Sequence, residues 1–273
     1  MKGRQKKSWR ERTNQAVCLV MLCMVLLGML FAKKETVGIS SVINGSESQK
    51  KGEDEGKNKE ESNSQGQKVA YLTFDDGPSV LTKEYLKILK EEDVQATFFL
   101  IGQQIEGELV DVVQQEIEDG HEVGLHTYCH AADKIYCSKE SYCEDLEKTK
   151  QCLETKLGIT PKLFRFPWGS ANAYVRSYKE SVVEEMEKEG IGYVDWNVSG
   201  EDSVGCPSAD SILRNVRKDY GKYDDPVILL HDSATCKSTL EALRPLIQEL
   251  KANGYSFQAL SARKTPCHFG ESR

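Results

Sequence analysis

The chain has 273 residues, 39% hydrophobic and 29% charged, enough for one sizeable core and too few for two large domains. Its formal net charge of −7 is unevenly placed: the residues after Gln67 hold 24 Lys and Arg against 35 Asp and Glu, a charge of −11. A body that acidic excludes a nucleic-acid binder that tracks phosphates, because such a protein needs clustered cations.

Residues 1–15 are basic (Lys2, Arg4, Lys6, Lys7, Arg10, Arg12) and precede an uncharged apolar run over 16–32, AVCLVMLCMVLLGMLFA. A helix of that length lies at the short end of what spans a hydrocarbon core of ~30 Å. The basic leader predicts a cytoplasmic N-terminus and export of everything after the run. Two readings compete, a cleaved signal peptide and an uncleaved transmembrane signal anchor. The anchor is favoured, because no small-x-small pair precedes Lys33-Lys34. Residues 33–67 are rich in Ser, Gly, Lys, Glu, Asn and Gln, with almost no large apolar residue after Ile43. Such a segment cannot bury enough surface to fold and reads as a disordered linker. Its r.m.s. span is on the order of 30 Å. The expected location is the cell membrane, single-pass, with the body extracellular, or secreted if the leader is cut.

From Lys68 onward strand-like and helix-like segments alternate. The stretch 69–78, VAYLTFDDGP, is an apolar run ending in Asp75-Asp76 and closed by Gly77-Pro78, which predicts a buried strand running into a turn. A helix follows over 82–92, a strand over 96–101 (ATFFLI), a helix over 108–118 and a strand over 121–126. Residues 139–156 form a long charged helix, followed by a strand at 163–166, a helix at 178–188 and a strand at 192–197. A helix over 209–219, a strand over 227–230, a helix over 238–252 and a strand over 255–260 complete the series. Seven strands alternating with helices predict a parallel α/β architecture, either an open doubly wound sheet or a barrel. In both, function gathers at the carboxyl ends of the strands.

Those ends carry the chemistry. Adjacent carboxylates at Asp75 and Asp76 repel each other unless a metal or a fixed cation compensates them. The third strand runs into His126-Thr127-Tyr128-Cys129-His130, which places two imidazoles at i and i+4, on one side of a helical turn, where both can meet one ion. With one carboxylate from the first strand they make a two-His, one-carboxylate set. Three protein ligands and an open position describe a hydrolytic zinc site, and the same set suits iron, cobalt or nickel. Arg165, in RFPWG, can grip a carboxylate at two points and keep it ionised. The strand at 192 delivers Asp195-Trp196-Asn197 and then Asp202. The strand at 227 delivers Leu229-Leu230-His231-Asp232, and a histidine ending so apolar a strand is a candidate general acid, tuned by a nearby carboxylate. Taken singly, each signal also fits a solvated turn, a core histidine or a surface ion pair.

Together they resemble the NodB-like polysaccharide deacetylases, carbohydrate esterase family 4, through TFDDGP, HTYCH, RFPWG, Asp202 and ILLHD in the family's order. The resemblance covers roughly residues 68–260, nearly the whole exported body. It implies a distorted (β/α) barrel of about seven parallel strands over 68–262, with a C-terminal tail over 263–273. It implies a metal held by Asp76, His126 and His130, one divalent ion with zinc as first choice. Asp75 is implied as the catalytic base, Arg165 as its orienting partner, His231 as the general acid and Asp202 as the group that tunes it. Leu229 and the face of Trp196 are implied to line the sugar pocket, and the Trp168 N–H to help bind the oxyanion. The activity implied is removal of N-acetyl groups from an aminosugar polymer, with peptidoglycan N-acetylglucosamine favoured. Chitooligosaccharides, poly-N-acetylglucosamine and acetylated xylan are the alternative substrates, and a catalytically silent carbohydrate-binding domain is the alternative of another class. Three departures stand out: Ser203 follows Asp202 where the family often has Trp, Cys129 sits between the histidines where Ser is usual, and RFPWG replaces the commoner double-proline form.

Cys18 and Cys23 fall in the apolar run, which leaves seven cysteines, an odd number, in the exported part. Export permits disulfides. Cys206 with Cys236, which follow neighbouring strands, is the first pairing to consider, and Cys137 with Cys143 or Cys152 the second. His121 and His268 lack partnered ligands nearby in sequence and read as structural or solvated.

Overall fold

The structure, a computed structural model, describes residues 68–205 and 207–270. The predicted anchor over 16–32 and linker over 33–67 lie outside the described residues, as does Cys206. Among the described residues no helix is long and apolar enough to cross a membrane.

Among the described residues eight strands form in chain order: β1 Lys68–Gly77, β2 Ala96–Ile101, β3 Glu122–Thr127, β4 Leu163–Phe164, β5 Gly192–Tyr193, β6 Val198–Ser199, β7 Val227–His231 and β8 Tyr255–Phe257. The helices between them are α1 Thr82–Glu91, α2 Gly102–Ile105, α3 Val110–Glu118, α4 Ala132–Ile135, α5 Lys139–Leu157, α6 Lys179–Lys188, α7 Ala209–Asp219 and α8 Lys237–Ala252. Seven strands run side by side in the order β5-β4-β3-β2-β1-β7-β6, and β8 pairs with the start of β1. Every pairing is parallel. The sheet curls into a half-barrel, as expected for the distorted (β/α) architecture.

Burial on both faces explains why β1, β2 and β7 read as unbroken apolar runs rather than alternating ones. Leu72 and Phe74 of β1 point outward and pack with Phe98, Leu230 and the helices, including Tyr85 and Leu89 of α1. Tyr71, Thr73 and Asp75 alternate with them, and Tyr71 packs inward with Phe99, Val194 and Val227. The lumen is therefore a small apolar cluster below and a polar layer above. Helix ends follow local chemistry: Ser138 caps α5 by accepting from the Ser141 N–H, and Gly158, at φ 69°, ends it.

Of the strand predicted over 192–197 only β5, Gly192–Tyr193, forms; β6 follows at Val198–Ser199, on the opposite side of an opening. β5 pairs with β4, whereas β6 pairs with β7. The residues between them cross the gap: the Val194 N–H donates to the Phe164 carbonyl at 3.0 Å on one side and the Asn197 N–H to the Val227 carbonyl at 3.2 Å on the other. Arg165 adds to these, donating from Nε to the Val194 carbonyl at 3.2 Å and from Nη2 to the Asp195 carbonyl at 3.1 Å. The end of the chain covers the seam: Asp195 N–H donates to the Cys267 carbonyl at 2.6 Å, and Phe269 N–H donates to Asp195 Oδ2 at 3.0 Å.

Cys137, Cys143 and Cys152 carry free thiols, which corrects the second pairing considered above; of the first pairing, Cys236 is also a free thiol and Cys206 lies outside the described residues. The Cys137 thiol faces the Asp133 carbonyl at 2.8 Å and the Cys152 thiol faces Glu106 at 3.6 Å, so the two point to different neighbours. His121 is buried, accepts the Ala96 N–H at 3.2 Å on Nδ1, and has its pKa pushed down to about 4 by burial. His268 stacks on Tyr193.

Candidate active site

β1 delivers both carboxylates, and an irregularity in its pairing with β2 between Asp75 and Gly77 sends them in different directions. Asp75 keeps the strand's inward direction, 3% exposed, with Oδ1 2.8 Å from Arg165 Nη1. Asp76 adopts φ 70° and turns its carboxylate toward the histidines. The repulsion expected of adjacent carboxylates is relieved by giving each its own cationic or ligating neighbours.

His126 lies on the lumen face of β3, 2% exposed, and its Nδ1 is 3.0 Å from the Arg165 carbonyl. That contact makes Nδ1 the protonated nitrogen and leaves the Nε2 lone pair free to ligate. His130 reaches the same place without a helix, which corrects the helical turn read from the spacing. The strand runs through Thr127, and the chain then folds back with His130 at φ 48°. Asp145 of α5 holds the bend, accepting from Thr127 Oγ1 and from the Tyr128 N–H, each at 2.5 Å.

Asp76 Oδ1 stands 3.4 Å from His126 Nε2 and 3.3 Å from His130 Nε2. Those spacings are too long for charge-assisted hydrogen bonds, which run about 2.7–2.9 Å. They match the edge of a tetrahedron with bonds of about 2.1 Å, roughly 3.4 Å, which is what co-ligands of one zinc-like ion show. Oδ1 is buried and has no hydrogen-bond partner among the described residues, so a ligand site accounts for it better than an ion pair does. The three ligand atoms lie within 4.8 Å of one another. Burial alone would raise the Asp76 carboxyl, but the adjacent His126, with the charges of His130 and His231, holds it well below the usual carboxylate range. Burial and the neighbouring His126 keep His130 inclined to its neutral, ligating form.

Arg165 is fully buried and splits its donors between two tasks. Nη1 serves Asp75 Oδ1 and Thr73 Oγ1, both at 2.8 Å, while Nε and Nη2 tie the seam. Its guanidinium lies 4.2 Å from the centre of the Phe99 ring.

Across the mouth, His231 pairs in register with Asp75 on the adjacent strand. Its Nδ1 is 2.8 Å from Asp202 Oδ1, its N–H donates to Asp202 Oδ2 at 2.8 Å, and Thr239 Oγ1 donates to the same oxygen at 2.7 Å. Burial pulls the His231 pKa down, but the hydrogen bond and charge of Asp202, with Asp75 and Asp76 beyond, outweigh it and carry it up to about 9. Leu229, 6% exposed, lies one inward step below His231 on β7.

Trp168 sits at φ 62°, half exposed, with its ring centre 5.1 Å from that of His130. Its N–H makes no hydrogen bond to a described residue. Trp196 takes a different place: its ring is 5.7 Å from the Arg165 guanidinium, packs edge-on against Phe269, and lines a cavity of about 770 Å³ bounded by the C-terminal residues. That cavity includes none of Asp75, Asp76, His126, His130 or His231.

Sequence reasoning missed an aromatic rim beside His130. Tyr136 and Tyr174 stack with centroids 5.6 Å apart and rings 3° from parallel, and each approaches Trp168. Asn172 fixes the loop, donating to the Pro167 and Gly169 carbonyls and accepting the Tyr174 and Val175 N–H groups. Trp168 and Tyr174 are 49% and 54% exposed, an apolar surface of the kind that marks a ligand groove. Neither tyrosine lies in a periodic segment, so only an aromatic count in the loops could have flagged them.

The family model described as polysaccharide deacetylase matches residues 62–190. A peptidoglycan-N-acetylglucosamine deacetylase of Bacillus cereus is 36% identical over 202 residues, covering 72% of this chain and 71% of that protein. The catalytic domain of a peptidoglycan N-acetylglucosamine deacetylase from Eubacterium rectale superposes with a TM-score of 0.69 at 30% identity, covering 77% of this chain and 96% of that one. A polysaccharide deacetylase from Bacillus cereus superposes with a TM-score of 0.66 at 33% identity, covering 74% and 97%.

Proposed function

Because the chain belongs to the polysaccharide deacetylase family, carbohydrate esterase family 4, we propose that it hydrolyses N-acetyl groups of N-acetylglucosamine in peptidoglycan. The observation that carries the reading is the Asp76, His126 and His130 cluster, flanked by a carboxylate held by arginine on one side and a histidine held by aspartate on the other. The choice of polymer rests on the relatives described above.

Asp76 Oδ1, His126 Nε2 and His130 Nε2 would hold one divalent ion, zinc by donor type, with cobalt, nickel and iron as alternatives. Such an ion, when bound, supplies a Lewis acid that lowers the pKa of water toward ~7 and polarises a carbonyl. Asp75, oriented by Arg165 Nη1, takes the proton of the attacking water. The Trp168 N–H faces the oxygen on which negative charge develops as the amide carbon becomes tetrahedral. His231, kept protonated by Asp202, donates its proton to the nitrogen as the C–N bond breaks, giving acetate and a free amine. Leu229 would bound the acetyl side of the site, and Trp168 the sugar side. We further propose that residues 16–32 anchor the enzyme in the cell membrane and 33–67 tether the body outside it.

Acetate release from purified peptidoglycan, compared with chitooligosaccharides and acetylated xylan, tests the function. Peptidoglycan should be the best substrate, with activity lost to a chelator and restored by zinc or cobalt. Absence of acetate from every aminosugar polymer, or indifference to chelation, would sink it. A second experiment tests the acid. His231 acts protonated, so activity falls as pH rises through its pKa of about 9. Asp202→Asn removes the charge that raises that pKa, and the alkaline limb of kcat/KM should move to lower pH by roughly one to two units. An unmoved limb would assign the acid elsewhere.

A further inference from the structure

Asp232 follows His231 directly, is fully buried, and has no part in the proton transfers above. Its N–H donates to the Asp75 carbonyl at 2.8 Å. Its carboxylate accepts from Ser79 Oγ at 2.7 Å and from Thr82 Oγ1 at 2.5 Å. Ser79 and Thr82 are themselves joined, since the Ser79 N–H donates to Thr82 Oγ1 at 2.7 Å. One residue thus grips the chain on both sides of Asp76, Gly77 and Pro78.

The segment between those grips is the one that needs holding. Asp76 stands at φ 70°, a left-handed conformation that a residue with a side chain rarely adopts unless its surroundings impose it. Gly77 lies directly on the carboxylate, and a Cβ there would fall 2.9 Å from Asp232 Oδ2. From the other side Gln104 Nε2 donates to the Asp76 carbonyl at 3.0 Å. A buried carboxylate is costly unless its hydrogen bonds are used, and those of Asp232 go to the loop that carries Asp76.

We propose that Asp232 is a positioning residue for the metal centre, its carboxylate and N–H together fixing the 76–82 loop so that Asp76 Oδ1 stays within ligating reach of His126 and His130. The inference rests on the reading of Asp76 as a metal ligand. It has a geometric corollary. His231 and Asp232 are consecutive, so a single peptide unit at the end of β7 sets the proton donor and the metal-binding loop relative to each other.

The test is metal affinity of the full-length apoprotein in detergent, by competition of zinc or cobalt against a chromophoric chelator. Asp232→Asn keeps the shape but replaces one accepting oxygen with a donor. Loss of an outer partner of a ligand typically costs about 10–100-fold in metal affinity, and Asp232→Asn should fall in that range. Ser79→Ala and Thr82→Val, which keep the carboxylate, should each weaken binding in the same direction and be non-additive with Asp232→Asn. If Asp232→Asn does not fold, those two variants decide alone. Unchanged metal affinity across the variants, with only a lowered melting temperature, would overturn the inference and leave Asp232 a structural staple. A wild-type protein that binds no ion would instead overturn the ligand set itself, a separable failure.

Discussion

Asp75→Asn is expected to reduce acetate release by a factor of about 10²–10⁴ while leaving bound metal unchanged, because it removes the base and spares the ligands. The substitution is nearly isosteric, and the amide oxygen can still accept from Arg165 Nη1. Thr73 Oγ1, Val194 O and Asp195 O go on accepting from the same guanidinium, so the buried cation is not orphaned. The fold should therefore survive, and the defect should appear in kcat rather than in the melting temperature. The checking measurements are acetate release on peptidoglycan and metal content on the same sample. Turnover that survives the change would remove Asp75 from its role.

His126→Ala should act on the ion itself. His126 is the more enclosed of the two histidines, with 3% of its side chain exposed against 26% for His130, and its Nδ1 is already oriented by the Arg165 carbonyl. Removing it leaves two ligands, His130 and Asp76, with 26% and 23% of their side chains exposed. Metal affinity should drop by more than about 100-fold, beyond the loss expected from an outer partner alone. Turnover should fall to background, and added zinc should restore it poorly. Metal content equal to wild type after dialysis would contradict the ligand assignment. Paired with Asp75→Asn, the two variants separate chemistry from ion binding.

The sheet was legible where strands are long and buried on both faces. ATFFLI is β2 to the residue, and the run before Asp75 gives β1, because continuous apolar stretches closed by Gly-Pro have few other uses. The seam was not legible. Residues 192–197 look like one strand, but the gap is spanned by hydrogen bonds to Arg165 and Cys267, which come from far along the chain. The site's chemistry could be read because it concentrates at strand ends, which brings Asp75, His126, Arg165 and His231 to one mouth. The path to His130 could not: an i, i+4 spacing suggested a helix, and Asp145 imposes a bend instead. Asp145 sits among solvated charges on a long helix, so nothing in its local sequence sets it apart. The same holds for Asp232, whose importance appears only when Ser79 and Thr82, some 150 positions earlier, are seen to donate to it.

X-ray absorption at the zinc edge of the purified, zinc-loaded protein tests most directly whether one ion gathers these residues. The account predicts a four-coordinate site with two imidazole nitrogens and one carboxylate oxygen, with one imidazole lost in His126→Ala. A spectrum without imidazole, or one that His126→Ala leaves unaltered, would contradict it.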